Sequence, residues 1–570
     1  MLKKTHLYFM VIDKIFFLII VILKIFLFPT NQSTDFEVHR NWKAITNSLQ
    51  ISEWYFYSDN KWTLDYPPLF SYMEYILGKF SKIFDQNITN LEKFNYNSTV
   101  CKIYMRATVL LGDFFLFFSI KFFSKNINMS LNKYLILIFS VQFYAGLVLI
   151  DNIHFQYNGI LFGLFFISLG FIAKKKYIYG AIFYSICLNM KHIFIYFAPA
   201  YLIFYFKYII INNIKKKNYK KLLTNAFLIG IGFCTVLLIS FLPFIAISIK
   251  EHNFSQLIQI KNRLFPVQRG LLHTYWAPNF WALYSFTDKL LYFVHSKSSK
   301  KCNIIEKICN FFLQFKKHLN NIDKKNISSL GASDNGVSQE TGFDILPDID
   351  MKKTNIIIVT FILIYYMKYF YQNKNIKKSK IKNMKIKEFI KHCIISNFIF
   401  FNFGYQVHEK AFLNISILTL IYYILSLDIE DNNIFDEKKE ETKNKKQSDA
   451  LISLSFIIVI IGILAQMPLI YEPKDYLVKI GISITYIVII KAIVFKGNYN
   501  NSSFIIKIII ISFIIFSLIL DFYATFQKYF DYEINFKPIL ELKKIKENYP
   551  FLFLMLFSVL NGVFTQIILI

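Results

Sequence analysis

Apolar runs of about 20 residues recur along this whole chain, and they constrain its fold more than any other feature. A helix of that length crosses a hydrocarbon core of about 30 Å with its backbone hydrogen bonds satisfied internally. No soluble domain, phosphate-binding loop or GxGxxG motif interrupts the runs. We therefore predict an all-α polytopic membrane protein with about 14 transmembrane helices and a long first loop.

The net charge of +28 comes largely from lysines that stand in short clusters between the apolar runs. A basic chain can bind nucleic acid, but lysines placed between membrane spans are typical of cytoplasmic loops. The clusters at 174–176, 215–221 and 374–387, together with Lys3 and Lys4, therefore predict the orientation and speak against a nucleic-acid partner. Both termini are then cytoplasmic, and the number of crossings is even.

This orientation divides the chain into three parts. Residues 1–427 form a membrane module with luminal loops at 29–103 and 250–353, and 428–449 form a charged cytoplasmic linker before the C-terminal transmembrane helices of 450–570. The segment between the first two lysine clusters has to cross twice, which predicts two short, broken helices that meet at Lys191 and His192. Cys302 and Cys309 share the second luminal loop, where they either pair or remain free thiols.

Polar clusters that were not used to orient the chain all fall on the luminal side. Their positions are 35–68, 151–158, 263–281 and 408–410. Unrelated motifs would be spread over both sides of the membrane, so this arrangement favours one luminal site.

The first luminal cluster contains the acids best suited to catalysis. Asp35 and Glu37 are two residues apart and therefore project in different directions, so they are not expected to act as a matched pair. One carboxylate alone can act as general base toward a hydroxyl. Asp65 precedes the rigid pair Pro67-Pro68, where it can position the same nucleophile or bind a sugar hydroxyl. The alternative is that these acids are solvated or cap a helix. The cluster also supplies polar and aromatic side chains for substrate binding, namely His39, Arg40 and Trp42.

The remaining clusters carry cations and amides. His154 and Gln156 follow an apolar run, where they either bind substrate or cap the helix end at the membrane interface. Lys191 and His192 lie between apolar segments. Ionisable groups there are costly and therefore suggest function, unless the lysine side chain extends to the membrane surface. Arginines with aromatic neighbours suit a lipid phosphate or pyrophosphate, although a basic interfacial belt has the same composition. The candidates for that role are Arg263, Arg269, Trp276, His408, Glu409 and Lys410.

A series of motifs across most of 33–420 resembles a known family. In chain order the motifs are TDFEVHRNW, WTLDYPP, DNIHFQYNG, LNMKHIFIYFAPAY, RLFPVQRGLLHTYWAPNFWALY and GYQVHEKA. Together they resemble the dolichyl-phosphate-glucose-dependent glucosyltransferases of the endoplasmic reticulum, which have a GT-C fold. The HTYWAPNFWALY and KHIFIYFAPAY blocks are similar to the members that add a second glucose, in α-1,3 linkage, to the monoglucosylated glycan.

The resemblance implies a role for several positions. Asp35 matches the family's general base and Asp65 its second luminal acid, while His408 with Arg263 or Arg269 matches the groups near the donor phosphate. The implied reaction passes glucose from dolichyl-phosphate-glucose to a dolichyl-diphosphate oligosaccharide with inversion. It takes place in the membrane of the endoplasmic reticulum with the site facing the lumen, in contact with membrane lipid and without a metal or cofactor.

Other functions remain open at this point. The sister enzyme that adds the first glucose shares the general pattern. A dolichyl-phosphate-mannose-dependent mannosyltransferase would share the first-loop acid, but the HFQYNG and VHEKA motifs argue against it. A lipid or solute transporter would show inverted repeats and ionisable groups at the middle of the bilayer, whereas the motifs here lie at the luminal ends of spans.

Overall fold

The structure is a computed structural model, and its described part is helical. It describes residues 2–215, 217–265, 270–272, 277–297, 309–314, 316, 343–372, 385–427, 441–495, 504–533 and 552–569. Within those ranges the only β-type pairing is one isolated bridge between Leu272 and Val407. The α-helices of eight or more residues are α1 (Leu2–Ile25), α2 (Thr34–Ser48), α3 (Pro68–Ser81), α4 (Thr99–Asn126), α5 (Leu131–Gln142), α6 (Asn158–Ala173), α7 (Tyr177–Met190), α8 (Ala198–Tyr205), α9 (Tyr219–Lys250), α10 (Ser255–Leu264), α11 (Phe280–Lys297), α12 (Met351–Gln372), α13 (Lys385–Phe403), α14 (Phe412–Ser426), α15 (Glu441–Leu464), α16 (Tyr476–Ile493), α17 (Phe504–Glu533) and α18 (Leu552–Leu569).

Several helices have the length and apolar character that a membrane crossing requires. In the described part there are seven, and five further apolar helices are shorter. The prediction of an all-helical polytopic membrane protein is therefore confirmed, while the number 14 and the GT-C fold stay predictions. The seven spans are Thr99–Asn126, Leu131–Phe155, Tyr219–Lys250, Met351–Gln372, Glu409–Ser426, Pro473–Ile493 and Ile508–Phe526.

The apolar helices differ in how much of their surface the protein covers. In the most apolar stretch of α9, 11% of the residues are buried, whereas 78% are buried in the span that contains α14. A helix that is hydrophobic on all sides must face either other helices or lipid. We infer that α14 forms part of the interior and that α9 lies at the lipid-facing periphery.

Helices α4 and α6 pack closely because α6 presents glycines to α4. A Cβ atom on Gly159 would lie 3.3 Å from the carbonyl oxygen of Gly112, and one on Gly163 would lie 2.6 Å from the Phe115 ring. Small residues that permit such an approach are typical of packing between membrane helices. This contact fixes the start of α6, which follows directly on the DNIHFQYNG motif.

The predicted pair of short helices is present between the first two lysine clusters. Helix α7 ends at Met190, and Lys191 has extended backbone angles (φ −147°, ψ 117°). A 3-10 helix at His192–Phe197 then leads into α8. The break therefore lies at Lys191 and His192, as the sequence predicted.

The first loop is folded, and it contacts the second loop. Pro68 begins α3, a position where proline is preferred because its missing N–H needs no partner there. From α10, Gln256 donates to the carbonyl oxygen of Ser52, and Gln259 donates to that of Tyr55, each at 3.0 Å. The start of the loop predicted at 250–353 thus lies against the loop predicted at 29–103.

Some predictions fall outside the described residues. These concern Arg269, Trp276, Cys302 and the first part of the charged linker, 428–440. Helix α15 already begins at Glu441, within the predicted linker. Cys309 is a buried free thiol.

Candidate active site

The N-terminus of α2 places Asp35 at the centre of the polar clusters that the sequence predicts to form one site. Ser33 caps the helix by accepting a hydrogen bond from the Phe36 amide at 3.4 Å, and its hydroxyl donates to the carbonyl oxygen of His154. Asp35 therefore lies in the first helical turn, where the helix dipole favours negative charge. The cap also fixes α2 against the DNIHFQYNG motif.

The Asp35 carboxylate has one engaged oxygen and one open oxygen. Its Oδ2 lies 2.7 Å from Lys410 Nζ, 2.7 Å from Gln156 Nε2 and 3.3 Å from His154 Nε2. No described residue hydrogen-bonds to Oδ1, and the side chain is 19% exposed. One oxygen is thus held by the protein, and the other can accept a hydrogen bond from a molecule that enters the site.

The neighbours of Asp35 also set its charge. Burial on its own would raise the pKa of Asp35, but the charge of Lys410 and the imidazole of His154 hold this pKa well below its usual range. The carboxylate is therefore ionised at neutral pH, with a cation beside it.

A chain of amides connects Asp35 to a second buried carboxylate. Lys191 Nζ donates to Gln156 Oε1 at 3.0 Å and to Asn158 Oδ1 at 3.1 Å, and Asn158 Nδ2 donates to Asp151 Oδ1 at 2.7 Å. Burial, followed by the charge of Lys410, lowers the pKa of Lys191. The network therefore holds two lysines near the partly exposed carboxylate of Asp35.

An unusual backbone aligns the side chains of the DNIHFQYNG motif. Residues Val148–Phe155 form a π-helix, and Phe155 has a φ of 81°, which is rare for a bulky side chain. Such π-helical turns are frequent at functional sites, and strained backbone persists where the surrounding structure enforces it. Here the turn allows both His154 and Gln156 to reach Asp35.

The GYQVHEKA segment reaches the site by pairing with the segment that follows α10. The amide of Gln406 donates to the Leu271 carbonyl oxygen at 2.9 Å, and Val407 forms the bridge with Leu272. His408 is half-buried and precedes a 3-10 helix at Glu409–Ala411. This pairing holds Lys410 against Asp35 and brings two of the sequence motifs together.

Glu37 and Arg40 form a separate pair on α2. Arg40 donates to the two Glu37 oxygens at 2.9 and 2.7 Å, and its remaining nitrogen donates to the carbonyl oxygens of Ile88 and Asn90 at 3.0 Å. Both side chains are buried. This geometry gives them a structural role, which is to tie α2 to the loop before α4.

His39 belongs to a buried network behind Asp35. His39 Nδ1 lies 2.6 Å from Glu74 Oε1, and Lys43 Nζ donates to Glu74 Oε2 at 2.6 Å and to the Tyr157 hydroxyl at 3.1 Å. Burial lowers the pKa of His39 more than Glu74 raises it, so the imidazole is neutral at pH 7. Burial would raise the pKa of Glu74, but Lys43 and His39 together lower it.

The other predicted residues lie around this centre. Trp42 Nε1 donates to the Thr63 carbonyl oxygen at 2.9 Å, which fixes the segment before Asp65. Asp65 is half-buried, and its charge acts on Lys191. Arg263 Nε donates to the Tyr55 carbonyl oxygen at 3.0 Å, and the His192 ring lies 5.7 Å from that of Phe265.

The structure thus brings Asp35, His154, Gln156, Lys191 and Lys410 into direct contact. Sequence reasoning missed the network formed by Lys43, Glu74 and Tyr157. The sequence contained one signal for this network, which is helical spacing. Lys43 follows Asp35 by eight positions and His39 by four, so all three residues lie on one face of a helix.

Comparisons with known proteins agree with the motifs. A profile of the ALG6, ALG8 glycosyltransferase family matches residues 20–436. The chain is 32% identical to the dolichyl pyrophosphate Glc1Man9GlcNAc2 alpha-1,3-glucosyltransferase of Kluyveromyces lactis over 475 residues, which cover 81% of this chain and 76% of the relative. For the enzyme of the same name from Schizosaccharomyces pombe the identity is 36% over 411 residues, which cover 70% of this chain and 72% of the relative.

Proposed function

The chain belongs to the ALG6, ALG8 glycosyltransferase family, and we propose that it transfers glucose from dolichyl-phosphate-glucose to the monoglucosylated, dolichyl-diphosphate-linked glycan. It is a dolichyl-linked α-1,3-glucosyltransferase of the kind its relatives are named for. The observation that carries the proposed chemistry is the Asp35 carboxylate, with Oδ2 held by Lys410, Gln156 and His154 and Oδ1 open.

In the proposed step, Asp35 Oδ1 accepts the proton of the acceptor hydroxyl. That hydroxyl oxygen forms a bond to the anomeric carbon of the β-linked glucose from the face opposite the phosphate. The bond between that carbon and the phosphate oxygen breaks, and its electron pair stays on the departing dolichyl phosphate. Inversion at the anomeric carbon then gives the α linkage. Asp65, whose charge acts on Lys191, is proposed to position the sugar.

Cations near Asp35 are proposed to stabilise the charge that develops on the departing phosphate. Lys410 and Lys191 are within the network, and His408 lies two residues before Lys410. Preorganised positive groups aimed at developing charge are among the strongest sources of catalysis. Since Lys410 also bonds Asp35, it links the base to the phosphate side of the site. Arg263 and Arg269 remain candidates for the same role.

We also propose that the site faces the lumen of the endoplasmic reticulum. The lysine cluster at 174–176 lies at the C-terminal end of α6, whereas His154 and Gln156 lie before the N-terminal end of that helix. An acceptor tag for N-glycosylation inserted after Lys61 should be modified, and the same tag inserted after Lys174 should stay unmodified. Modification of the second tag alone would reverse the proposed orientation.

A transfer assay with purified full-length protein tests the function. Dolichyl-phosphate-glucose and dolichyl-phosphate-mannose are each offered with unglucosylated and monoglucosylated dolichyl-diphosphate glycans. We expect glucose transfer to the monoglucosylated glycan. Transfer to the unglucosylated glycan would assign the first-glucose step instead, and transfer of mannose would assign a mannosyltransferase. Transport without transfer would overturn the proposal.

A further inference from the structure

The segment between α15 and α16, residues 465–475, belongs to none of the motifs yet adjoins the site. Gln466 Nε2 donates to the carbonyl oxygen of Glu409 at 3.1 Å, directly beside Lys410. Asp475 Oδ2 accepts from the amide of Asn31 at 3.0 Å, just before the cap of α2. The C-terminal helices therefore supply one wall next to Asp35.

A small notch separates this wall from the catalytic motifs. It has a volume of about 20 Å³ and is lined by Gln32, Ser33 and His154 on one side and by Tyr471 and Glu472 on the other. That volume accommodates roughly one water molecule or one hydroxyl group. The Gln32 amide nitrogen is buried here and has no hydrogen-bond partner among the described residues. The notch is thus lined by polar and apolar groups, among them Ile153, Leu469 and Ile470, and it contains one amide nitrogen without a partner in the described part of the chain.

The side chains around the notch suit a sugar. Tyr471 is 44% exposed, and no described aromatic ring packs against it. Exposed aromatic rings stack on apolar faces, while carboxylate and amide groups hydrogen-bond to hydroxyls. A glycan offers both kinds of surface, because its C–H faces alternate with hydroxyl groups.

The charged groups of this wall differ from those around Asp35. Lys410 pairs with Asp35 and Lys191 donates to Gln156, whereas Glu472 and Asp475 line the notch. Arg106 Nη2 donates to the carbonyl oxygen of Asn31, which also lines the notch, at 3.0 Å. Carboxylates accept hydrogen bonds from neutral hydroxyls, so this lining suits the neutral glycan part of the acceptor.

We propose that Tyr471, Glu472 and Gln32 form a subsite that binds the glycan of the acceptor and contributes to the choice between acceptors. This inference rests on the proposed function. The notch takes a glycan hydroxyl and Tyr471 stacks on a sugar ring, so that the acceptor hydroxyl is presented to Asp35.

A buried lysine holds the subsite in place. Lys479 Nζ donates to the carbonyl oxygens of Met467 and Ile470 at 3.3 and 2.9 Å, and it pairs with Asp521 at 2.9 Å. Both charged side chains are at most 1% exposed. Ionisable groups in membrane helices are expensive and are therefore treated as functional by default. Here the pair fixes the backbone just before Tyr471, which preorganises the wall.

The test is a comparison of Michaelis constants in the full-length enzyme. Tyr471→Ala and Glu472→Gln are assayed with monoglucosylated dolichyl-diphosphate glycan at saturating dolichyl-phosphate-glucose, and then with the substrates exchanged. Tyr471→Ala removes the ring that stacks on the sugar, and Glu472→Gln removes the charge from the hydrogen bond to its hydroxyl, so each should raise the acceptor KM by about tenfold. The donor KM should stay within about twofold, since Lys410 and Lys191, the proposed partners of the phosphate, do not line the notch. Tyr371→Ala and Glu92→Gln, two exposed residues away from the notch, serve as matched controls.

The outcomes separate this inference from the proposed function. If the unmodified protein transfers no glucose to any acceptor, the proposed function fails. If the unmodified protein does transfer glucose, two results would contradict the subsite. One is that both variants keep the acceptor KM of their controls, and the other is that they raise the donor KM as much as the acceptor KM. Should Tyr471→Ala not be recovered as folded protein, Glu472→Gln, which preserves size, decides the matter alone.

Discussion

The two faces of α2 carry similar side chains in very different surroundings. On one face, Asp35 is 19% exposed and leaves Oδ1 open to the site. On the other, Glu37 has both oxygens bound to Arg40, whose remaining nitrogen is bound to the backbone of the following loop. The two acids are only two residues apart in sequence, but a substrate can reach Asp35 and cannot reach Glu37 in this arrangement.

This difference separates the proposed general base from an acid with a structural role. A general base needs an oxygen within hydrogen-bond reach of the proton that it accepts. Glu37 could offer one only by breaking a buried ion pair, which typically costs about 3–5 kcal/mol. Asp35 loses nothing when a hydroxyl binds to Oδ1. The following experiments would break or sharpen this contrast.

The largest expected effect is on turnover in Asp35→Asn. The amide keeps the size of the side chain and can still accept from Lys410, but it cannot take a proton. We expect kcat to fall by about 10²–10⁴-fold, the usual contribution of a general base, with the donor KM nearly unchanged. The measurement is the specific activity of purified protein with an unfolding midpoint equal to that of the unmodified enzyme. Near-normal turnover would remove Asp35 from the mechanism.

Arg40→Met should affect stability rather than chemistry. The substitution leaves the Glu37 carboxylate buried without its partner, so the free energy of unfolding should fall by roughly 3 kcal/mol or more. The fraction that remains folded should turn over at the normal rate. Thermal unfolding and activity per folded molecule are measured together, with Lys93→Met on the exposed part of the same loop as control. A stable variant with collapsed turnover would instead place this face in the active site.

Much of the fold could be predicted because its signals are local. Apolar runs predict helices, and lysines on either side of residues 177–211 predict the break that the structure has at Lys191. The site could be located because Asp35, His154, Lys191 and Lys410 come from separate motifs that the orientation places on one side.

What could not be predicted depends on contacts between distant parts of the chain. The sequence placed Glu37 and Arg40 among substrate-binding residues, and only the fold shows that they bind each other and Ile88. The last 120 residues, merely hydrophobic as a pattern, contribute the wall at 465–475 through tertiary contacts with Glu409 and Asn31. The available signals were Lys479 and Asp521, two charges in apolar runs.

His408→Ala should weaken use of the donor by a smaller factor. Removing a group near the departing phosphate loses one interaction with developing charge, which we expect to lower kcat/KM for dolichyl-phosphate-glucose by roughly tenfold. A donor titration at saturating acceptor measures this, with Lys174→Ala in the opposite lysine cluster as control. Equal rates for His408→Ala and the control would assign His408 to the interfacial belt.

The smallest effect concerns the pH at which activity is lost in acid. Asp35 must be ionised to accept a proton, and Lys410 and His154 hold its pKa well below the usual range. Activity should therefore persist into mildly acidic solution and fall only as pH drops through that lowered pKa.

In Lys410→Gln a donor remains but the charge is gone, so burial raises the pKa of Asp35 and the acid limb of kcat/KM moves to higher pH. Lys410→Arg keeps the charge and should leave the limb in place. An acid limb that does not move in Lys410→Gln would mean that Asp35 is not the group whose protonation stops the reaction, and the contrast between the two faces of α2 would then rest on exposure alone.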